Sequence, residues 1–205
     1  MQGKPARTLT PDLLANARVL PNRCDILPLL PKNKVFAEVG VGLGTFSEAI
    51  IATCMPSRFI AIDNFVLHTI PLVWGRKTTD VFGNLTHEEY YRQKLRAHID
   101  SGSVQVSSGD SVAMLKQLPD RSVDIFYVDA NHTYEAVSNE LALIKFKIRD
   151  SGYIILNDYI FYDHLSQAPY GVIQATNEFM LRERWEMVYF ALAPEMFCDV
   201  VLRKF

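Results

Sequence analysis

Apolar residues fall in short blocks along this chain, separated by glycine-rich, polar or amphipathic stretches. Val35–Val39, Arg58–Ile62, Val104–Ser107, Asp124–Val128 and Tyr153–Leu156 each read as a buried strand. Segments with helical spacing lie between them: Phe46 to about Thr53, Ser111–Leu118, Thr133–Lys147 and Val172–Arg182. In the last of these, Val172, Ala175, Phe179 and Met180 share roughly one face. A further helix runs from Thr86 to about Ile99, with Thr86 as N-cap and Glu89 three positions on, a capping-box spacing. Met187–Leu192 and Cys198–Leu202 are the final strands. The alternation predicts an α/β fold, one Rossmann-like doubly wound sheet of seven strands with helices on both faces. The short link Ala193-Pro-Glu-Met196 cannot make a parallel crossover, so the sheet is mostly parallel with an antiparallel last strand.

Residues 35–205 then form the main domain, and residues 1–34 read as an N-terminal helical extension carried by Pro11–Arg18. That extension either covers the functional cleft or joins copies in a homo-oligomer. The stretch from Phe65 to Asn84 is long for a connection in a compact domain, and it contains Phe65, His68, Trp74, Arg76 and Phe82. It reads as one wall of a pocket or a lid, with Tyr159, Phe161, Tyr162 and His164 as the opposite wall.

Composition narrows the function classes. The 205 residues are 49% hydrophobic, 21% charged and carry a formal net charge of −2, which is ordinary for a soluble protein and gives no reason to expect a nucleic-acid partner. Cys24, Cys54 and Cys198 are far apart and form no C-x-x-C pair, so neither a disulfide framework nor a zinc knuckle is indicated. No run of signal-peptide or membrane length opens the chain, and a cytoplasmic, membrane-free protein is expected.

The chemistry gathers at the strand ends. Gly40, Gly42 and Gly44 follow the first strand at alternate positions and lead straight into a helix. Such a turn exposes backbone N–H groups to a nucleotide-like ligand. A dinucleotide fingerprint needs its third glycine at the position of Thr45, so the spacing fits that motif poorly. Glu38 would repel a pyrophosphate and suits a ligand with a cationic amine. Asp63 ends the second strand about twenty residues past the turn, where an acid grips ribose hydroxyls. Asp110 either meets an adenine amine or caps the helix that follows. Asp129, His132, Asn157 and Asp158 end neighbouring strands and would share one rim of the sheet. That set could activate a hydroxyl, hold a divalent ion such as Mg²⁺, or do both.

Together, Glu38-Val-Gly-Val-Gly-Leu-Gly44, Asp63, Gly109-Asp110, Tyr127-Val-Asp-Ala-Asn-His-Thr-Tyr-Glu135, Gly152-Tyr-Ile-Ile-Leu-Asn-Asp-Tyr159 and the closing hairpin resemble class I S-adenosylmethionine-dependent methyltransferases. The segment from Asp129 to Glu135 resembles the branch that methylates hydroxyls of macrolide sugars. The resemblance implies S-adenosylmethionine as cofactor, bound by Glu38, Gly40 and Gly42 at its methionine part, Asp63 at its ribose, and Ser108, Gly109 and Asp110 near its adenine. Asp129 adjoins the cofactor, His132 is the base with Asp129 beside it in the catalytic set, and Asp129, Asn157 and Asp158 correspond to metal ligands. Asn157 stands where the metal-dependent sugar methyltransferases carry an acid, which weakens the metal and favours a metal-free role for His132. The acceptor implied is a small molecule, first a glycosyl hydroxyl and second a phenolic or other natural-product hydroxyl. An NAD-dependent oxidoreductase and a non-catalytic S-adenosylmethionine-binding module stand as the alternatives.

Overall fold

The computed structural model describes residues 5–205. In chain order the strands are β1 (Arg18–Leu20), β2 (Val35–Val39), β3 (Arg58–Asp63), β4 (Leu72–Val73), β5 (Arg76–Lys77), β6 (Val104–Ser108), β7 (Val123–Val128), β8 (Ile148–Leu156), β9 (Tyr162–Asp163), β10 (Ala168–Pro169), β11 (Trp185–Ala191) and β12 (Asp199–Lys204). The helices are α1 (Thr45–Cys54), α2 (Thr78–Phe82), α3 (His87–Lys94), α4 (Arg96–Asp100), α5 (Ser111–Gln117), α6 (Tyr134–Lys147) and α7 (Val172–Glu183).

Eight of these strands form one sheet in the order β1-β11-β12-β8-β7-β2-β3-β6. Every neighbouring pair is parallel except the two that involve β12, which runs antiparallel to both β11 and β8. The doubly wound sheet with its antiparallel last strand is thus present, with one strand more than the seven expected.

The extra strand is β1, and it corrects the reading of the N-terminal segment. Within the described residues 5–34 there is no α-helix. Pro11–Leu14, Arg23–Asp25 and Leu27–Leu29 are single 3-10 turns, and Arg18–Leu20 adds to the edge of the sheet beside β11. Pro28 and Pro31 lack the N–H groups that would carry the turns at Arg23–Asp25 and Leu27–Leu29 into a longer run of i→i−4 bonds. Residues 1–4 lie outside the described residues.

Strand alternation sorts the core onto two faces. Ala37, Val39, Phe126, Val128 and Ile154 pack with α5, α6 and α7, while Phe36, Ile125, Tyr127 and Ile155 pack with α1, α3 and the N-terminal turns through Ile26, Leu27 and Leu30. Each fully buried large side chain, such as Phe36 or Phe59, contributes about 1.5–3 kcal/mol of apolar burial. The strand ends that carry the candidate chemistry, Val39–Gly40, Asp63, Val128–Asp129 and Leu156–Asn157, therefore sit side by side on a rigid support.

The expected helix from Thr86 is split. Its capping box is present, with Thr86 Oγ1 accepting from Glu89 N and Glu89 Oε2 accepting from Thr86 N, but the backbone breaks at Leu95 between α3 and α4. The stretch from 65 to 84 holds a 3-10 turn, the β4–β5 hairpin and α2 rather than irregular chain. Among the described residues no helix is long and apolar enough to cross a membrane.

Candidate functional site

The glycine turn is built by main chain. Gly40 N donates to Ile62 O at 2.8 Å and Asp129 N donates to Val39 O at 2.7 Å, drawing three strand ends together. Gly40 has φ +85°, and a Cβ there would lie 2.2 Å from the Asp129 carbonyl oxygen, so no side chain fits. Val41 N donates to Asp63 Oδ2 at 2.8 Å, and Gly44 N to Val41 O at 2.8 Å. The amides of Gly42 and Leu43 have no partner among the described residues. They lead into α1, whose N-cap Gly44 offers no side-chain cap. Unpaired N–H groups and the positive end of a ten-residue helix thus converge at one place, a setting for a ligand with acceptor oxygens.

Three side chains of α3 hold this turn from behind. His87 is fully buried, and its Nε2 lies 2.6 Å from Gly42 O while Nδ1 accepts from Leu67 N at 3.4 Å. That pairing puts the proton on Nε2, which donates to the glycine carbonyl. Tyr91 OH donates to Ser47 Oγ at 3.1 Å, and Lys94 Nζ donates to Leu43 O at 3.1 Å while pairing with Glu48 at 3.0 Å. With the carbonyls of Gly42 and Leu43 engaged here, their amides are left facing away. No motif in the sequence marks these three residues as a group. The signal lies in their spacing: a capping box fixes the start of the helix, and His87, Tyr91 and Lys94 then fall at i, i+4 and i+7 on one face.

The residues expected around a cofactor take distinct places. Asp63 is half-buried at the end of β3, and its carboxylate accepts from Val41 N and, at 2.7 Å, from Phe65 N. A carboxylate has about four lone-pair positions, so both oxygens keep capacity for ribose hydroxyls. Glu38, expected against the methionine part, is instead closed off at 1% exposure with Ser47 donating to it. Burial pushes its carboxyl well above the usual range, and at that exposure it offers a ligand no direct contact. Asp110 caps α5, accepting from Ala113 N at 3.0 Å. Ser108 and Gly109 end β6 beside Asp63, with Gly109 N donating to Asp63 O at 2.8 Å. Gly42 lies under the exposed indole of Trp74 at the tip of the β4–β5 hairpin, 3.2 Å from where a Cβ would stand.

The rim set does come together. His132 Nε2 lies 3.4 Å from Asp129 Oδ1 and 3.6 Å from Asp158 Oδ2, buried and without a hydrogen bond of good geometry. The ring stacks on Tyr170 at 4.5 Å and 4°. Asp163 accepts from Tyr170 OH at 3.2 Å and from the amides of Leu165 and Ser166, and Gly171 N donates to His132 O at 2.7 Å. Burial opposes charge on His132, but the carboxylates of Asp129 and Asp158 outweigh it and raise the pKa above its ordinary value. Burial, together with repulsion from Asp129, pushes Asp158 up to about 6. Asp158 reaches this position through a backbone φ of +53°, a strained conformation for a non-glycine residue.

The expected metal set is not assembled. Asn157 Nδ2 donates to Asp199 Oδ1 at 3.0 Å, and the His132 imidazole occupies the space between Asp129 and Asp158. Among the described residues no group of three or more His, Cys, Asp or Glu side chains is arranged to hold a metal ion. These donors do not fit Mg²⁺. Of the expected aromatic wall, Phe161 and Tyr162 are exposed near the rim and His164 stacks on Phe197, whereas Tyr159 turns inward, donating to Asn177 Oδ1 and packing edge-on to Phe190.

A family model described as a methyltransferase domain matches residues 37–159, from β2 through the rim residues to Tyr159. The chain belongs to the methyltransferase-domain family. Its fold is that of class I S-adenosylmethionine-dependent methyltransferases, and solved structures agree. The pyocyanin biosynthetic protein PhzM is 15% identical with TM-score 0.56, over 89% of this chain and 54% of its own. The M1A22 tRNA methyltransferase TrmK of B. subtilis is 13% identical with TM-score 0.60, over 91% and 67%. An S-adenosylmethionine-dependent methyltransferase from Aquifex aeolicus is 14% identical with TM-score 0.57, over 84% and 83%. The chain thus spans about half the length of PhzM. No curated protein matches its sequence. Membership in the family removes the oxidoreductase alternative.

Proposed function

We propose that this methyltransferase transfers the methyl group of S-adenosylmethionine to a hydroxyl of a small molecule, with His132 as general base and no metal in the step. The carrying observation is the His132 imidazole, fixed between Asp129 and Asp158 and stacked on Tyr170 at the strand ends beside the glycine turn.

The glycine turn fits the adenosyl donor. The open amides of Gly42 and Leu43 suit its polar amino-acid end, and Asp63 suits its ribose. Bound there, the donor supplies an electrophilic methyl on a positively charged sulfur. The remaining work belongs to the chain. The carboxylates beside His132 Nε2 favour the tautomer with its proton on that nitrogen, because a lone pair there would face negative charge. Nδ1 is then the nitrogen that would take the acceptor proton as the hydroxyl oxygen bonds to the methyl carbon and the carbon–sulfur bond breaks, its electron pair staying on sulfur. The positive charge that forms on the ring is stabilised by Asp129 and Asp158. Tyr170 and the Gly171 N–H bond to the His132 carbonyl hold the ring in place, so orientation precedes reaction. Exposed aromatic side chains of Trp74, Phe161 and Tyr162 suit a ring-bearing acceptor such as a sugar or a phenol.

The test is methyl transfer from isotopically labelled S-adenosylmethionine to separate panels of glycosides, phenols, primary amines and tRNA, with product detection by mass spectrometry. Methyl ethers of a glycoside or phenol are expected. Turnover confined to amines or RNA would overturn the hydroxyl assignment.

A further inference from the structure

We infer that Arg23 is the anion-binding residue of the donor site, where its guanidinium takes the carboxylate of the methionyl half of S-adenosylmethionine. The inference deepens the donor-site reading above and rests on it.

Arg23 comes from the N-terminal segment, outside the part matched by the family model. It is half-buried, lies over the Phe46 ring at 4.7 Å, and donates from Nη1 to Tyr127 OH at 3.2 Å. Phe46 is the second residue of α1, directly after the glycine turn, and its ring meets Tyr127 at 4.5 Å. The guanidinium therefore hangs beside the uncapped start of α1, on the β7 side of β2. Asp63 lies on the opposite, β3 side. A ligand with its ribose at Asp63 and its chain running across the glycine turn ends next to Arg23.

Charge decides what that end must be. Asp199 accepts from the Tyr127 hydroxyl to which Arg23 donates, and Asp129 and Asp158 flank His132 at the adjoining strand ends. The donor carries two positive groups, sulfonium and ammonium, and one carboxylate. The acids suit the first two and would repel the third. Lys94, the other cation near the turn, is engaged by Glu48, Leu43 O and Thr45 Oγ1. Among the described residues Arg23 donates one hydrogen bond of the five a guanidinium can make, and Tyr127 OH, itself donating to Asp199 at 3.0 Å, fixes its direction. A planar fork with open N–H groups next to the unpaired amides of Gly42 and Leu43 is a carboxylate receptor.

A purely structural role, neutralising Asp199 beneath the cleft, predicts a different pattern and can be separated by ligand choice. Calorimetry on the full chain would compare S-adenosylhomocysteine with 5′-methylthioadenosine, which shares the adenosine and thioether but lacks the amino-acid end. Arg23→Gln is expected to weaken S-adenosylhomocysteine about tenfold or more and to leave 5′-methylthioadenosine within about twofold, with Arg23→Lys in between. Equal losses for both ligands, or no loss for either, in folded Arg23→Gln or Arg23→Lys protein would overturn the inference while leaving the donor site standing. A wild-type chain that binds neither ligand would overturn the donor-site reading and the inference with it.

Discussion

The buried imidazole of His87 and the carbonyl of Gly42 lie 2.6 Å apart, so a helix packed on one face of the sheet determines which way the glycine turn presents its amides. His87→Phe keeps the packing against Phe65 and Phe82 but leaves that carbonyl without its donor. A buried acceptor left unpaired costs about 1–3 kcal/mol. Affinity for S-adenosylhomocysteine should fall about tenfold by calorimetry, although His87 is fully buried. Unchanged affinity would show that the turn keeps its shape without this bond.

His132→Ala should lower kcat about a hundredfold or more and leave cofactor affinity intact, because in the proposed mechanism the ring serves proton transfer rather than donor binding. Stopped assays with labelled donor, paired with calorimetry, separate the two. Near-normal turnover would remove His132 from the mechanism. A wild type that binds donor tightly and transfers nothing to any acceptor would revive the non-catalytic alternative.

The pH dependence follows from the neighbours of His132. A general base works only when neutral, so the rate should climb with pH on a limb centred above the ordinary histidine value of about 6.5. Asp129→Asn removes the larger of the two carboxylate effects and should move that limb to lower pH. For stability, the raised folded value gives a contribution complete below about pH 6.5 and lost as pH rises through the folded pKa. A limb that stays in place in Asp129→Asn would disconnect the carboxylate from the ring.

Asp63→Ala should weaken cofactor binding about tenfold or more, because it removes acceptors for two ribose hydroxyls as well as the bonds to Val41 N and Phe65 N. Titration calorimetry giving the wild-type constant would refute the placement.

Gly40→Ala should destabilise the fold by about 3 kcal/mol, since a Cβ would meet main chain and not a movable side chain. At this chain length that corresponds to a Tm drop of roughly 6 to 12 °C. A melt within a degree of wild type would contradict the close approach.

Much of this was legible in the residues, and the failures have causes. The parallel strands were readable because five buried blocks each end within two residues of a glycine or an acid, and strand geometry then places those ends together. The His132 cluster followed from the same register. Strand β1 was not readable: three residues carry no period, and Pro11–Leu14 looks like a helix start but closes as a single 3-10 turn before the chain extends at Arg18. The hairpin that brings Trp74 over Gly42 has two-residue strands, too short for any alternation to show. Asp110 caps the helix that follows, which is one of the two roles open to it from the sequence. Arg23 gave no sign at all, because its contacts are with residues 23 and 104 positions away.

The bonds that shape the ligand turn run from Gly40 to Ile62, from Asp129 to Val39 and from Gly44 to Val41, peptide group to peptide group. Such contacts read no side-chain alphabet beyond the glycines themselves. Neighbouring positions are then free to drift through evolution while the scaffold persists, which is how proteins only 13–15% identical to this one can share its architecture. Acceptor choice, by contrast, is written in the side chains of the surrounding loops, where descent leaves the least trace.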